Sequence, residues 1–262
     1  WALLPGGGHA VAVLPLLAGM AFVMAGLGLV WLEIGKPWRA FNVFFHPQTS
    51  WMTREGFIAT PLLLACAAAA WLRSVPLLLL AALLAAGFLY CQARILLASK
   101  AIPAWSHPRT LALLISTAWA EGSGLLLVLG ASGSGPLVAL ALAATLAREL
   151  ARERYRRALV AAGAPEGTLA WFTHRQTRVL QALRITAALL MLVALAGVAG
   201  EHSALLAAIG GALAAIGGWG LKAILVTRAA FTRGARIPFT PARGRGQTAT
   251  VLPMGIPRQG KR

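Results

Sequence analysis

Two acids, a histidine, two arginines and five aromatic residues crowd the stretch from Glu33 to Glu55, between long apolar runs. Glu33, Glu55 and His46 are groups that take up and release protons. Arg39 and Arg54 can hold a carboxylate ionised or bond a ligand oxygen. Polar connectors of that density tend to line a site. Each residue also has a plainer use. Trp38 and Trp51 suit a membrane–water interface, and Glu55 complements the dipole of a starting helix with Thr53 as its N-cap. His46, before Pro47, suits an ordinary turn. Three further places carry chemistry. Tyr90 and Arg94 fall one helical turn apart and can share a cavity. Glu121 stands about 12 residues inside an apolar run, near a bilayer midplane at roughly 1.5 Å per residue. An acid there is a functional candidate, either a proton relay or a structural hydrogen bond. Lys222, near the end of the last run, is expected to snorkel outward.

The elements that position these residues are membrane spans. Of 262 residues, 58% are hydrophobic and 12% charged, against roughly 25% charged in a soluble domain. Apolar runs near the length needed to cross a hydrocarbon core recur at 10–32, 56–72, 75–97, 110–130, 135–148, 180–200 and 204–226. The pattern predicts an all-α polytopic membrane bundle of seven spans over residues 1–226. The fifth span is short and can continue as an amphipathic helix through Arg157. Cys66 and Cys91 lie inside apolar runs without a CxxC pair, so no zinc, iron–sulfur or disulfide reading follows. The chain begins at Trp1 rather than methionine, and a missing leading segment is expected.

Charge sets the orientation. With seven spans, the connectors after the first, third and fifth spans and the tail 227–262 share one side. Of 24 Lys and Arg residues only Arg73 clearly belongs to the other. The positive-inside rule then puts the basic loops and the C-terminus in the cytoplasm of a bacterial inner membrane. The net charge of +17 has topology, anionic lipid or an acidic protein as candidate uses. Nucleic acid is not expected, because the basic residues flank spans instead of forming a soluble module. The tail, rich in Arg, Gly and Pro, is expected to order against a partner subunit.

Two stretches resemble a known family. Leu32-Glu-Ile-Gly-Lys-Pro-Trp-Arg-Ala-Phe-Asn-Val43, followed by Ser50-Trp-Met-Thr-Arg-Glu55, is similar to the pattern L-x-x-G-x-P-x-R-A-x-N, then S-x-L-S-x-E, of the DMSO reductase anchor subunits. Arg94-Ile-Leu and Ile102-Pro-Ala-Trp105 resemble that family's R-x-Y and x-P-x-W. The order agrees over residues 10–130, while 135–262 matches mainly in hydropathy. The resemblance implies an eight-helix anchor without haem or metal of its own. It implies partners too: an iron–sulfur subunit with four [4Fe–4S] clusters and a molybdopterin catalytic subunit. Electrons would pass between those clusters and a membrane quinone, ubiquinone or menaquinone. The chain would be quinone-reactive without itself catalysing the substrate reaction. In the family, the glutamate matching Glu55 and a histidine at the position of Glu33 are implicated in quinol binding, so Glu33 is a departure. A subgroup, the membrane subunit of phenylacetyl-CoA:acceptor oxidoreductase, suits the cytoplasmic loop orientation.

Quinone reduction takes two electrons and two protons, so a site needs proton-exchanging groups near the carbonyls, which Glu33, Glu55 and His46 can supply. Trp38, Trp51 and Phe45 can flank the ring. Two other classes compete. A haem b anchor needs histidine pairs at matching depth inside spans, whereas the five histidines fall at span ends and in loops. A secondary transporter would show repeat symmetry around a midplane site, and only Glu121 hints at that.

Overall fold

The computed structural model describes residues 9–33 and 36–232. These are overwhelmingly helical, with no strand among them. The long helices are α1 (His9–Glu33), α2 (Trp51–Leu72), α3 (Val75–Ala98), α5 (Arg109–Leu126), α6 (Gly135–Ala161), α8 (Arg175–Leu195) and α9 (Ser203–Thr227). Two short helices, α4 (Pro103–Ser106) and α7 (Glu166–Thr173), join them at one end, as does a 3₁₀ segment, Pro37–Phe45. Six of the long helices, all but α6, are long and apolar enough to cross a membrane. The protein is a membrane-spanning helical bundle.

The expected span at 135–148 is the first half of α6, a helix of 27 residues. Its second half carries Arg148, Glu149, Arg152, Glu153, Arg154, Arg156 and Arg157. The expected span at 180–200 sits five residues earlier, as Arg175–Leu195. His174 starts that helix by accepting a hydrogen bond from the Gln176 N–H at 3.3 Å, so Arg175 and Arg178 are helical residues, not loop. The expected tail 227–262 falls, from residue 233 onward, outside the described residues.

Small residues let the helices approach, as apolar packing in lipid demands. The core of α6, α8 and α9 is built around Ala141, Ala187, Ala207, Ala214 and Met191, all with no exposed surface. Helices α5 and α9 run antiparallel and cross most closely at Gly124 and Gly211. A Cβ on Gly124 would lie 2.5 Å from the Gly211 carbonyl oxygen, so neither position has room for a side chain. Beyond Leu126, α5 widens into a single π-type turn, Leu127–Ala131, with Gly130 at φ 106° as its penultimate residue.

The basic end is tied by hydrogen bonds. Trp105 Nε1 donates to the Leu225 carbonyl at 2.9 Å, fixing α4 to the end of α9. Thr168 of α7 donates to the Ala229 carbonyl at 2.9 Å, and Tyr155 of α6 donates to the Ala104 carbonyl. The Ile102–Trp105 stretch, singled out by resemblance, is thus part of a stitch among α4, α6 and α9. His107 sits in the same corner, with Nδ1 accepting the Arg109 N–H at 3.1 Å and its ring edge-on to Tyr155 at 6.3 Å. Burial, and then the Arg109 charge, push its pKa below the usual 6.5. The unfolded chain therefore takes up this proton more readily than the folded one. Stability is full above about pH 6.5 and is lost as pH falls below it. Thermal unfolding in detergent should show that slope in the wild type, and His107→Gln should flatten it.

Candidate functional site

Among the described residues, α1, α2, α3 and the 3₁₀ segment enclose a cleft of about 560 Å³ at the basic end. Its walls include Leu27 and Trp31 from α1, Phe44 from the 3₁₀ segment, Met52 and Glu55 from α2, and Gln92 from α3. The cleft is apolar except near Glu55, whose Oε1 accepts a hydrogen bond from Gln92 Nε2 at 3.0 Å. Glu55 is the fifth residue of α2, so it lies about 6 Å along that helix at 1.5 Å per residue. That depth is the membrane boundary, within reach of both water and hydrocarbon.

The connector before α2 is held rigidly against it. Ser50, not Thr53, is the N-cap, accepting the Thr53 N–H at 3.2 Å. The Thr53 hydroxyl instead donates to the Val43 carbonyl, anchoring the 3₁₀ segment to the first turn of α2. Arg54 donates to the Pro47 carbonyl at 2.8 Å and the Gln48 carbonyl at 2.7 Å, locking the turn between the segment and α2. Gly56 allows Phe44 to lie against α2: a Cβ there would stand 3.2 Å from the Phe44 ring. Phe44 meets Phe57 edge-on at 5.4 Å. A wall made from a flexible connector is thereby pre-organised.

The sequence candidates separate into three groups. Glu55 lines the cleft. Trp51, Arg54, Tyr90 and Arg94 gather beside it. The Trp51 ring carries the Arg54 guanidinium at 4.2 Å and the Arg94 guanidinium at 4.6 Å, with Tyr90 edge-on at 5.7 Å. Arg54 is engaged by the Trp51 ring and by the Pro47 and Gln48 carbonyls, so it does not hold a carboxylate as expected, while Arg94 lies over the Trp51 and Tyr90 rings. Tyr90 and Arg94 do share a neighbourhood, as their one-turn spacing implies. The third group lies apart: Glu33, Trp38, Phe45 and His46 are exposed and do not line the cleft. Trp38 stacks on Phe41 at 6.5 Å. The side chain of Arg39 lies outside the described residues. The indole and phenyl rings lining the cleft are those of Trp31 and Phe44, while Trp38, Trp51 and Phe45 are not part of its wall. Gln92, a lone amide within the apolar run of α3, was the available signal for the polar end.

A second cluster lies at mid-depth between α5, α6, α8 and α9. Glu121 Oε2 accepts from Lys222 Nζ at 2.6 Å. The lysine therefore reaches inward, the direction its Cα–Cβ bond already takes toward the start of α9, and does not snorkel as expected. Arg184 Nε donates to Glu149 Oε1 at 2.5 Å. Arg148 Nη1 donates to the Ala214 carbonyl at 2.8 Å, and its Nε stands 3.5 Å from Glu149 Oε1. Arg148 and Arg184 are fully buried. Helix α9 makes room with a pair of glycines. A Cβ on Gly218 would stand 2.5 Å from Glu121 Oε1, and one on Gly217 would collide with the Arg184 side chain.

Comparison with protein families, curated proteins and solved structures finds no match for this chain. Among the described residues no group of three or more His, Cys or Glu side chains is placed to hold a metal ion. The described histidines beyond His107 stand at helix ends or connectors, at 9, 46, 174 and 202.

Proposed function

We propose that this chain is the quinone-reactive membrane anchor of a multi-subunit oxidoreductase, with Glu55 as the proton-exchanging group of the quinone site. The observation that carries the reading is the cleft. It opens at the membrane boundary, where a quinone ring with its isoprenoid tail resides. Its volume of about 560 Å³ falls in the range of roughly 300–1,000 Å³ typical of small-molecule sites. Trp31 and Phe44 offer aromatic surface, and Glu55 with Gln92 forms a single polar pole. A quinone carbonyl at that pole meets one proton-exchanging carboxyl and one amide donor. The rest of the ring and the tail lie on apolar wall. Proton transfer at such a pole requires the group within hydrogen-bond reach of the carbonyl.

The redox partners rest on the resemblance of residues 32–43 and 50–55 to the DMSO reductase anchors. They would be an iron–sulfur subunit seated on the basic end and a molybdopterin subunit beyond it. Charge supports that placement. Among the described residues, Arg73 is the one Lys or Arg at the far end of the bundle, and the basic end is proposed to be cytoplasmic. A photoreactive ubiquinone or menaquinone analogue, added to the complex in nanodiscs, tests the cleft. Cross-links are expected within 51–60 of α2 and 92–96 of α3. Labelling confined to α5, α6, α8 or α9 would remove the assignment. The mid-depth charges favour a second reading, a proton- or solute-coupled transporter, which would move solute in liposomes without any partner subunit.

A further inference from the structure

The charged layer between α5, α6, α8 and α9 stands apart from the quinone reading and needs its own account. It contains four cations, Arg148, Arg152, Arg184 and Lys222, and two acids, Glu121 and Glu149. Fixed structural ion pairs would be expected to balance and to satisfy their hydrogen bonds, because an unpaired charge in hydrocarbon is strongly disfavoured. This layer does neither. Its cations outnumber its acids. Glu121 has a side chain only 8% exposed, and its Oε1 has no hydrogen-bond partner.

The groups differ in what they can release. The guanidinium groups of Arg148 and Arg184 keep their protons, so they act as fixed charge. Glu149 is bound by Arg184 and contacts Arg148. The proton able to move is the one in the short Lys222–Glu121 bond. Lys222 is also the member of the layer with an outlet. Its side chain is 38% exposed, and it lies five residues from the end of α9 at Thr227, about 8 Å at 1.5 Å per residue. From α6, Arg148 is within electrostatic reach of Glu121. From α3, which also packs on α5, Arg94 is engaged by the Trp51 ring.

We propose that Lys222 and Glu121 form a proton-exchange site at mid-depth of the membrane, loaded from water at the basic end. In uptake, the Lys222 ammonium breaks one N–H bond and gives its proton to the Glu121 carboxylate, which becomes a carboxylic acid. The neutral amine then takes a proton from hydronium at the end of α9, releasing water. The site gains one proton and one positive charge, and release reverses the two steps. Gly218 leaves the space that Glu121 occupies.

Infrared difference spectra of the full chain in nanodiscs, recorded between about pH 5 and pH 9 without quinone, read the site directly. A carboxylic C=O band is expected to grow as pH falls and to shift in D₂O. It should vanish in Glu121→Gln, an isosteric change that keeps an acceptor for Lys222, and Lys222→Gln should move its midpoint. Should either variant fail to fold, wild-type protein with labelled Glu and Lys gives the same reading. There the Glu121 carboxyl shift is followed through its cross-peak to the Lys222 ammonium. A carboxyl that stays ionised over the whole range would make the pair a permanent strut and overturn the proposal. Because no quinone is present, that failure would leave the cleft assignment untouched.

Discussion

Glu55→Gln is expected to lower quinone turnover by at least about 100-fold, the usual contribution of a positioned general acid or base, while the complex assembles normally. The substitution removes the exchangeable proton and little else. Glutamine has the same length and an oxygen able to accept the Gln92 bond now made at 3.0 Å. The surrounding wall does not depend on the carboxylate: Phe44 is held by Gly56 and Phe57, and the connector by Thr53 and Arg54. Loss of rate with little change in affinity for a quinone analogue would mark Glu55 as a proton donor or acceptor and not merely a contact. Gln92→Leu should act differently, weakening analogue binding through the lost amide while retaining part of the turnover. Wild-type turnover in Glu55→Gln would remove the acid from the site.

Much of the fold was legible because a bilayer leaves little choice. Runs of about 20 apolar residues have to cross as helices, since hydrocarbon offers no other partner for the backbone. That is why six helices fall on expected runs. The errors lie where charge was taken as a boundary. Residues 175–179, with Arg175 and Arg178, were left out of one expected span yet are helix, whereas the fifth run continues past Arg148 as the helix expected through Arg157. Inside the bundle Arg148 finds a partner on α9, at the Ala214 carbonyl, and Arg184 of α8 pairs with Glu149 of α6. Such pairing is invisible to a one-dimensional profile, which counts every arginine as a cost. The Gly217–Gly218 pair on α9 carried the missing signal, since adjacent glycines in a span leave room for something large opposite.

The candidate site was legible to the same degree. Glu55 was identifiable because its position coincides with a family motif and with the start of a span. His46 was chosen for its chemistry alone, and Glu33 for its chemistry and for standing where the resembled family has a histidine. Among the described residues both are exposed, and neither lines the cleft. The aromatic walls, Trp31 and Phe44, looked like ordinary members of an apolar run and a connector. Only the fold of the 3₁₀ segment back onto α2 brings them to one space.

Glu149→Ala is expected to destabilise the bundle by about 3–5 kcal/mol, the usual loss when one partner of a buried ion pair is removed. Glu149 joins Arg184 at 2.5 Å and lies 3.5 Å from Arg148, and both arginines are fully buried. Without the acid, two guanidinium groups would stand in the core of α6, α8 and α9 with no ion-pair partner. Their remaining contacts, to the Ala214 and Gly217 carbonyls, are too few to satisfy ten N–H groups, five on each arginine. The outcome would be read as a lower unfolding temperature in nanodiscs. The compensating change separates charge from packing. Arg184→Leu placed on the Glu149→Ala background removes one stranded cation and fills similar volume, so it should recover a large part of the loss. If Glu149→Ala alone unfolds like the wild type, the arginines are solvated by water within the bundle. In that case the layer is a hydrated path and not a dry ionic core.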